Sequence, residues 1–286
     1  MRKLFNFDKR KSSLIREDLG GYQQYKSVEV DTHPQPFPNK GREKQAFTLA
    51  EVLITLAIIG VVAAMTIPTL ISKHQERQIV SHLTKAYATV SNAFKMAETE
   101  HGSIDTWGLN RTDMGRDADG NSIYDFSSKG IVAERIKPYL RVAKECVDGE
   151  VCDNRDVYYL SGNLKSSAVQ NTNYYGGAFI LQDGSFIQLG WYYDYSSFMD
   201  FSITLPYDSK IVYGKNIFAF RAYPGQVVPE GVGIGDLAGG TNNFKTSCRP
   251  DNTGRYCAGW VIYNKNMDYL HCADDLSWDG KHQCSD

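Results

Sequence analysis

The feature that most constrains this chain is the apolar run from Phe47 to Ile71. A helix needs about 20 apolar residues to cross a bilayer, and this run is long enough. Its single ionisable side chain is Glu51. An ionised carboxylate in hydrocarbon costs roughly 2.5–3.5 kcal/mol even on a lenient scale, so a carboxylate at this place indicates a function.

The charge of the chain changes at this run. The net charge is −2, but residues 1–46 carry ten Lys and Arg against six Asp and Glu, a net of +4 that leaves −6 for the rest. Positive charge is retained on the cytoplasmic side of a membrane, so we expect a cytoplasmic N-terminus, one crossing and an exported body. The small negative total gives no support for a nucleic-acid partner.

The cysteines agree with export, because all of them follow the apolar run and their number is even: Cys146, Cys152, Cys248, Cys257, Cys272 and Cys284. An oxidising compartment favours disulfides. The short loop makes Cys146–Cys152 the firmest pair. For the other four, locality favours Cys248–Cys257 with Cys272–Cys284, and the alternative is Cys257–Cys272 with Cys248–Cys284.

The sequence predicts an α+β fold in four parts. Residues 1–46 are a basic, disordered leader, since they are too polar and proline-rich to order themselves. One long helix runs from Phe47 to Gly102, with a membrane half at 47–71 and an amphipathic half at 72–102. Pro68 predicts a kink or a melted turn within it. The apolar stripe of the second half is Ile79, Leu83, Ala86, Tyr87, Val90, Ala93, Phe94 and Ala97.

Residues 103–286 are expected to form an exported globular domain. A short helix is predicted over about Ser128–Arg141, ending near Pro138, and Asp183-Gly184 between two apolar runs predicts a β-hairpin. The segments FSITLPY and NIFAFRAY alternate like half-buried strands. The amphipathic half of the long helix is expected to pack on a small antiparallel sheet built from these strands.

The stretch AFTLAEVLITLAIIGVVAAMTIP resembles the processing segment of type IV prepilins and type II secretion pseudopilins. The resemblance implies cleavage between Ala46 and Phe47 and methylation of the new Phe47 amine. Ala46 stands where the family usually has Gly, and a 46-residue leader is longer than usual, unless translation starts at a non-Met codon after Met1. Glu51 is then the fifth mature residue, which in the family offsets the amine of a neighbouring subunit during assembly. Pro68 falls where many members have a helix-kinking proline.

This resemblance implies a non-enzymatic, pilin-like subunit in the inner membrane that is later drawn into a pilus or pseudopilus. The globular body is large and disulfide-rich for a major subunit, which indicates a minor component. The implied partners are the prepilin peptidase and methyltransferase, other pilin or pseudopilin subunits and the inner-membrane assembly platform. A membrane-anchored binding domain or adhesin that never assembles is the alternative.

Other patterns predict less. Asp117, Asp119, Asn121 and Asp125 resemble the start of a calcium loop, but the Gly comes too early and Ser128 stands where a bidentate Glu belongs. His271, Cys272, His282 and Cys284 fit no zinc spacing, so disulfides are the better interpretation. The sequence contains no H-E-x-x-H, G-x-S-x-G or glycine-rich phosphate loop, and it indicates no catalytic residue or cofactor.

Overall fold

The computed structural model describes residues 48–109, 112–116, 122–125, 130–146, 152–166, 177–193, 198–232 and 244–285. The chain divides into two compact units. The first, Met1–Ile54, is described only from residue 48, where a helix begins. The second, Thr55–Asp286, holds the remaining described elements.

Helix α1 is the longest element and spans Leu49–His101. It ends at Gly102, whose φ of +81° is a left-handed conformation that favours glycine. Two contacts fix the end of the helix: the Ile104 amide donates to Glu98 Oε1 at 3.0 Å, and the Trp107 indole donates to the Gly102 carbonyl at 2.7 Å. The long helix predicted from periodicity is confirmed.

The described part of the chain adds strands and short helices after α1. The strands are β1 (Thr112–Arg116), β2 (Ser122–Asp125), β3 (Val142–Cys146), β4 (Val157–Tyr158), β5 (Leu164–Ser166), β6 (Gly177–Leu181), β7 (Phe186–Tyr193), β8 (Phe198–Thr204), β9 (Ile211–Val212), β10 (Ile217–Tyr223) and β11 (Gln226–Pro229). The short helices are α2 (Ile131–Ile136), α3 (Phe244–Ser247), α4 (Ala258–Asn264) and α5 (Tyr269–Cys272).

The main sheet has six strands in the order β11-β10-β8-β7-β6-β3, and each neighbouring pair is antiparallel. Its β6–β7 connection is the predicted Asp-Gly hairpin. The Leu181 amide donates to the Ser185 carbonyl at 2.8 Å, and Gly184 takes a φ of +84° that closes the turn. The strands predicted around this hairpin are therefore confirmed.

The core lies between α1 and this sheet. The predicted stripe of α1 is buried, with Leu83, Ala86, Val90 and Ala97 at 0% exposure. Aromatic rings continue the contact, since Tyr87 stacks on Phe220 and Phe94 packs on Phe201 at centroid distances of 5.4 and 5.6 Å. The observed architecture is thus the expected α+β packing of a long helix on an antiparallel sheet.

The C-terminal segment, residues 244–285, forms a second aromatic cluster that joins the same core. Phe244 stacks on Trp260 with ring centroids 4.1 Å apart, and Trp278 contacts both rings edge-on. The buried Tyr269 hydroxyl donates to the Gly214 carbonyl at 2.6 Å. These contacts hold α3, α4 and α5 against the end of the sheet.

The short helix predicted over about Ser128–Arg141 begins later than expected, at Ile131, directly after Gly130 with its left-handed φ of 95°. It spans Ile131–Ile136, and a 3-10 turn at Lys137–Tyr139 follows, so the predicted end near Pro138 is confirmed. Pro138 cannot donate a backbone hydrogen bond, so the α-helix does not continue past it. The antiparallel sheet expected on α1 is confirmed by the six-stranded sheet. The small sheet of β4, β5 and β9, in which β4 and β9 run parallel, was not predicted.

Candidate processing and assembly site

The predicted site residues fall at and before the start of α1. Ala46 and Phe47 lie outside the described residues. Glu51 lies in the first turn of α1, and Pro68 lies in its interior. The helix is continuous through Pro68, so the melted turn considered from the sequence does not form; the kink stays a prediction.

Thr48 and Glu51 form a reciprocal capping box at the start of α1. The Thr48 amide and hydroxyl both donate to Glu51 Oε2 at 2.9 Å, and the Glu51 amide donates to the Thr48 hydroxyl at 3.3 Å. The helical ladder begins with the bond from the Val52 amide to the Thr48 carbonyl at 3.2 Å. The Glu51 carboxylate therefore accepts hydrogen bonds at the start of the helix, in addition to carrying a charge.

The role of Thr48 as the residue that caps α1 was not predicted from the sequence. The signal was present, because Thr48-Leu49-Ala50-Glu51 is a Thr-x-x-Glu pattern directly before an apolar run. A cap of this kind is worth about 0.5–2 kcal/mol.

The apolar half of α1 presents its side chains outward. Leu49, Met65 and Leu70 are among the most exposed large apolar residues, at 80, 72 and 70%. Within the described chain, α1 is the one helix long and apolar enough to cross a membrane. Its hydroxyls are satisfied internally, since Thr66 donates to the Val62 carbonyl and Thr69 to the Thr66 carbonyl. Hydrocarbon demands this internal satisfaction of polar groups.

Directly after the apolar run, α1 is tied to the C-terminal segment. Glu76 Oε1 lies 2.9 Å from His271 Nε2 and accepts from the Ser72 hydroxyl at 3.3 Å. The Lys265 ammonium donates to the Thr84 hydroxyl at 3.3 Å. The first of these contacts, at Glu76, therefore lies within two turns of the end of the apolar run.

Between Glu76 and Thr84, His82 connects α1 to the β6–β7 hairpin. Its Nε2 lies 3.0 Å from Ser185 Oγ, and its Nδ1 lies 3.1 Å from the Tyr207 hydroxyl. Asp183 lies 3.4 Å from the same Nε2. Burial acts to raise the pKa of Asp183, but hydrogen bonds from Ser185 and the charges of His82 and Lys85 outweigh it, so the pKa lies below its ordinary value.

All six cysteines are paired, in the arrangement that locality favoured: Cys146–Cys152, Cys248–Cys257 and Cys272–Cys284. The last bond removes both thiolates that a zinc cluster would need. His271 and His282 have other contacts, to Glu76 and to the Trp278 carbonyl.

The calcium candidates are not placed by the structure. Asp117, Asp119 and Asn121 lie outside the described residues, and only the backbone of Asp125 is described, at the end of β2.

Comparison with known families covers both the helix start and the body. Residues 69–266, well over half of the chain, match the family described as Family of unknown function (DUF6613). The chain belongs to this family. Residues 41–67 match the Prokaryotic N-terminal methylation motif, so this DUF6613 member carries a prepilin-type, pilin-like N-terminus. No curated protein and no solved structure matches the chain.

Proposed function

We propose that this DUF6613 member is a non-enzymatic prepilin-like subunit of a type IV pilus or type II secretion pseudopilus, present as a minor component. A prepilin peptidase cuts between Ala46 and Phe47, and the Phe47 amine is methylated. The methylation motif over residues 41–67 carries the proposal, because it opens the one membrane-competent helix of the described chain.

The proposed topology follows from the charge distribution. Residues 1–46 are the cytoplasmic leader, 47–71 cross the inner membrane, 72–102 are the amphipathic half of the helix, and 103–286 are the exported domain. Three disulfides support export, since such bonds persist in oxidising compartments. Other subunits and the assembly platform would then draw the apolar half of α1 into a filament core.

The Glu51 carboxylate supports the assembly step. It caps its own helix through Thr48, and as the fifth mature residue it follows Phe47 by four positions in the sequence. In a filament, a carboxylate at this depth offsets the amine of an adjacent subunit and so selects one axial register. A buried polar pair sets register in a coiled coil in the same way.

The mass of the mature N-terminus tests the proposal. The full chain is expressed with and without a prepilin peptidase, and the first peptide is measured by mass spectrometry. We expect Phe47 with one added methyl group only when the peptidase is present. The conservative variant Ala46→Gly should be cut at least as well, whereas the bulky Ala46→Leu should keep its leader. An unprocessed chain in the presence of an active peptidase would favour the anchored binding domain or adhesin instead.

A further inference from the structure

A groove of about 470 Å³ lies between α1 and the C-terminal segment, at the first turns after the apolar run. One wall is formed by Lys73, Arg77 and Val80 of α1. The facing wall is formed by residues 265–268 and 283–285. Lys73 is two residues beyond Ile71, where the apolar run ends.

The groove is lined by three cationic side chains, Lys73, Arg77 and Lys265, and by two carboxylates, Glu76 and Asp268. Lys73 and Arg77 are exposed on one face of the helix, four residues apart, and they have no hydrogen bond or ion pair within the described residues. Lys265 approaches from the facing wall, where its only described contact is the Thr84 hydroxyl.

The carboxylates that line the same groove are already engaged. Glu76 accepts from Ser72 and lies against the His271 ring. Asp268 Oδ2 accepts the Cys284 amide at 2.7 Å. These hydrogen bonds hold the two carboxylates against Ser72, His271 and Cys284, whereas Lys73 and Arg77 stay exposed and unpaired within the described chain. With three cations against two carboxylates, the described lining keeps one formal positive charge in excess, and a concave surface of this kind attracts an anionic ligand.

The position of the groove identifies that ligand. With a rise of 1.5 Å per residue, Lys73 and Arg77 lie roughly 3 and 9 Å beyond Ile71 along the helix. The headgroup layer of a bilayer is roughly 5–8 Å deep on each side. We propose that the groove binds the phosphate of an anionic phospholipid headgroup, held between Lys73 and Arg77 on one side and Lys265 on the other. This inference rests on the proposed membrane anchoring.

Lys265 distinguishes a lipid held in the groove from separate headgroup contacts made by Lys73 and Arg77. Any Lys or Arg just outside a spanning helix can reach headgroups on its own. Lys265 is on the body, at the C-terminal end of α4, where its left-handed φ of 57° ends the helix. A lipid held in the groove needs Lys265, whereas cations that snorkel independently from α1 do not.

The test uses the full chain purified in neutral detergent. Native mass spectrometry counts bound lipid during titration with phosphatidylglycerol, and with phosphatidylcholine of the same acyl chains. We expect one phosphatidylglycerol per chain in preference to phosphatidylcholine. One cation near a membrane surface is worth roughly five-fold in affinity, so Lys265→Gln should weaken phosphatidylglycerol binding by about that factor. The matched control is Lys95→Gln, an exposed lysine on α1 that does not line the groove.

The outcomes separate this inference from the proposed function. One contrary result is that wild type and Lys265→Gln bind phosphatidylglycerol equally while Lys73→Gln and Arg77→Gln lose binding. That result would mean that the two α1 cations reach headgroups independently, and it would overturn the proposal that the groove holds the lipid. Competition by glycerol 3-phosphate at the same concentration as the lipid would identify a free-phosphate site and overturn the lipid assignment. Wild-type chain washed from membranes by alkaline carbonate would overturn the anchoring itself, whatever the titration shows.

Discussion

Glu51 combines two roles that substitution can separate. Its carboxylate caps α1 through Thr48, and its charge is the proposed partner of a Phe47 amine in the filament. A glutamine at this place can still accept from Thr48 but carries no charge. Loss of the cap and loss of the charge can therefore be measured independently.

Glu51→Ala and Glu51→Gln should both insert into the membrane at least as well as wild type, because a charge leaves the apolar run. Filament incorporation should fall sharply in both, because the Phe47 amine loses its partner. Insertion is measured by alkaline carbonate extraction, and incorporation by the fraction of subunit in sheared filaments. Thr48→Ala is the control: it removes the two capping bonds of the Thr48 hydroxyl but keeps the charge of Glu51, so it should still assemble. Wild-type incorporation of Glu51→Gln would refute the register role.

The Asp183 carboxylate should make the free energy of unfolding fall as the pH becomes acidic. Because its folded pKa lies below the ordinary value of 3.8, the ionised form stabilises the fold above that pH. This contribution is lost as the pH falls from about 3.8 through the lower folded pKa. Asp183→Asn should lower the melting temperature at pH 7 and flatten its decline toward pH 3.

Circular-dichroism melts of the full chain in detergent, taken from pH 7 to pH 3, measure this effect. Asp279→Asn changes an exposed carboxylate in the C-terminal segment and should leave the profile unchanged. Parallel profiles for wild type and Asp183→Asn would show that the Ser185 and His82 contacts do not act through this charge.

At the level of elements, the second half of α1 is a structural part of the domain, not a tether. Its buried stripe supplies one wall of the core. A fragment that starts after Ser72 keeps this stripe, and a fragment that starts after Gly102 loses it. Each buried Leu, Val or Phe is worth roughly 1.5–3 kcal/mol, and the loss of several exceeds most of a domain's stability of about 5–15 kcal/mol.

The longer fragment, made under oxidising conditions, should be soluble and monomeric and should melt cooperatively. The shorter one should aggregate or melt without cooperativity. Equal melting temperatures for the two fragments would mean that the helix contributes nothing to the core.

Two matched substitutions within α1 test the same packing in the full chain. Leu83→Ala removes a fully buried side chain and should cost about 2–5 kcal/mol of unfolding free energy. Met96→Ala changes a side chain that is 52% exposed and should cost less than about 0.5 kcal/mol. Denaturant titration measures both values, and a similar cost for the two would contradict the observed burial.

Elements with strong local signals could be predicted from the sequence. The stripe of α1, the Asp183-Gly184 turn and the three disulfides all depend on neighbours in sequence, and all were found. The order of the six strands could not be predicted, because pairing across the sheet joins residues far apart in the chain. The Thr48 cap also depends on neighbours in sequence, but it was not predicted, because Glu51 belongs to the methylation motif and to the capping box at once.

At the scale of the whole molecule, a buried charge cluster also escaped prediction. The Glu230 side chain is fully buried between Arg221 and Arg255, at 3.1 and 3.2 Å. A buried carboxylate requires such partners, and Coulombic attraction to Glu230 helps to keep the pKa of Arg255 above its ordinary value, even though burial acts to lower it. No periodicity marks these residues, since they come from β10, the end of β11 and the turn before α4.

The disulfides should differ in what they stabilise. Both bonds close loops within the C-terminal segment, but Cys248 and Cys257 are buried in the main core, whereas Cys272 and Cys284 are partly exposed. The double variant Cys248→Ala with Cys257→Ala should therefore lower the melting temperature more than Cys272→Ala with Cys284→Ala. Non-reducing peptide mapping of wild type should give three cross-linked peptides and no free thiol. A free thiol would contradict the exported, oxidised state.

The ties between α1 and the body have a mechanical consequence. They occur at Glu76, His82, Thr84, Tyr87 and Glu98, over 22 residues or roughly 33 Å of helix. A subunit extracted from a bilayer is pulled along this axis, and a pull along the axis strains all of these bonds at once, in shear. A force perpendicular to the axis would instead break these bonds one after another. The same fold should therefore withstand a far larger force along α1 than across it.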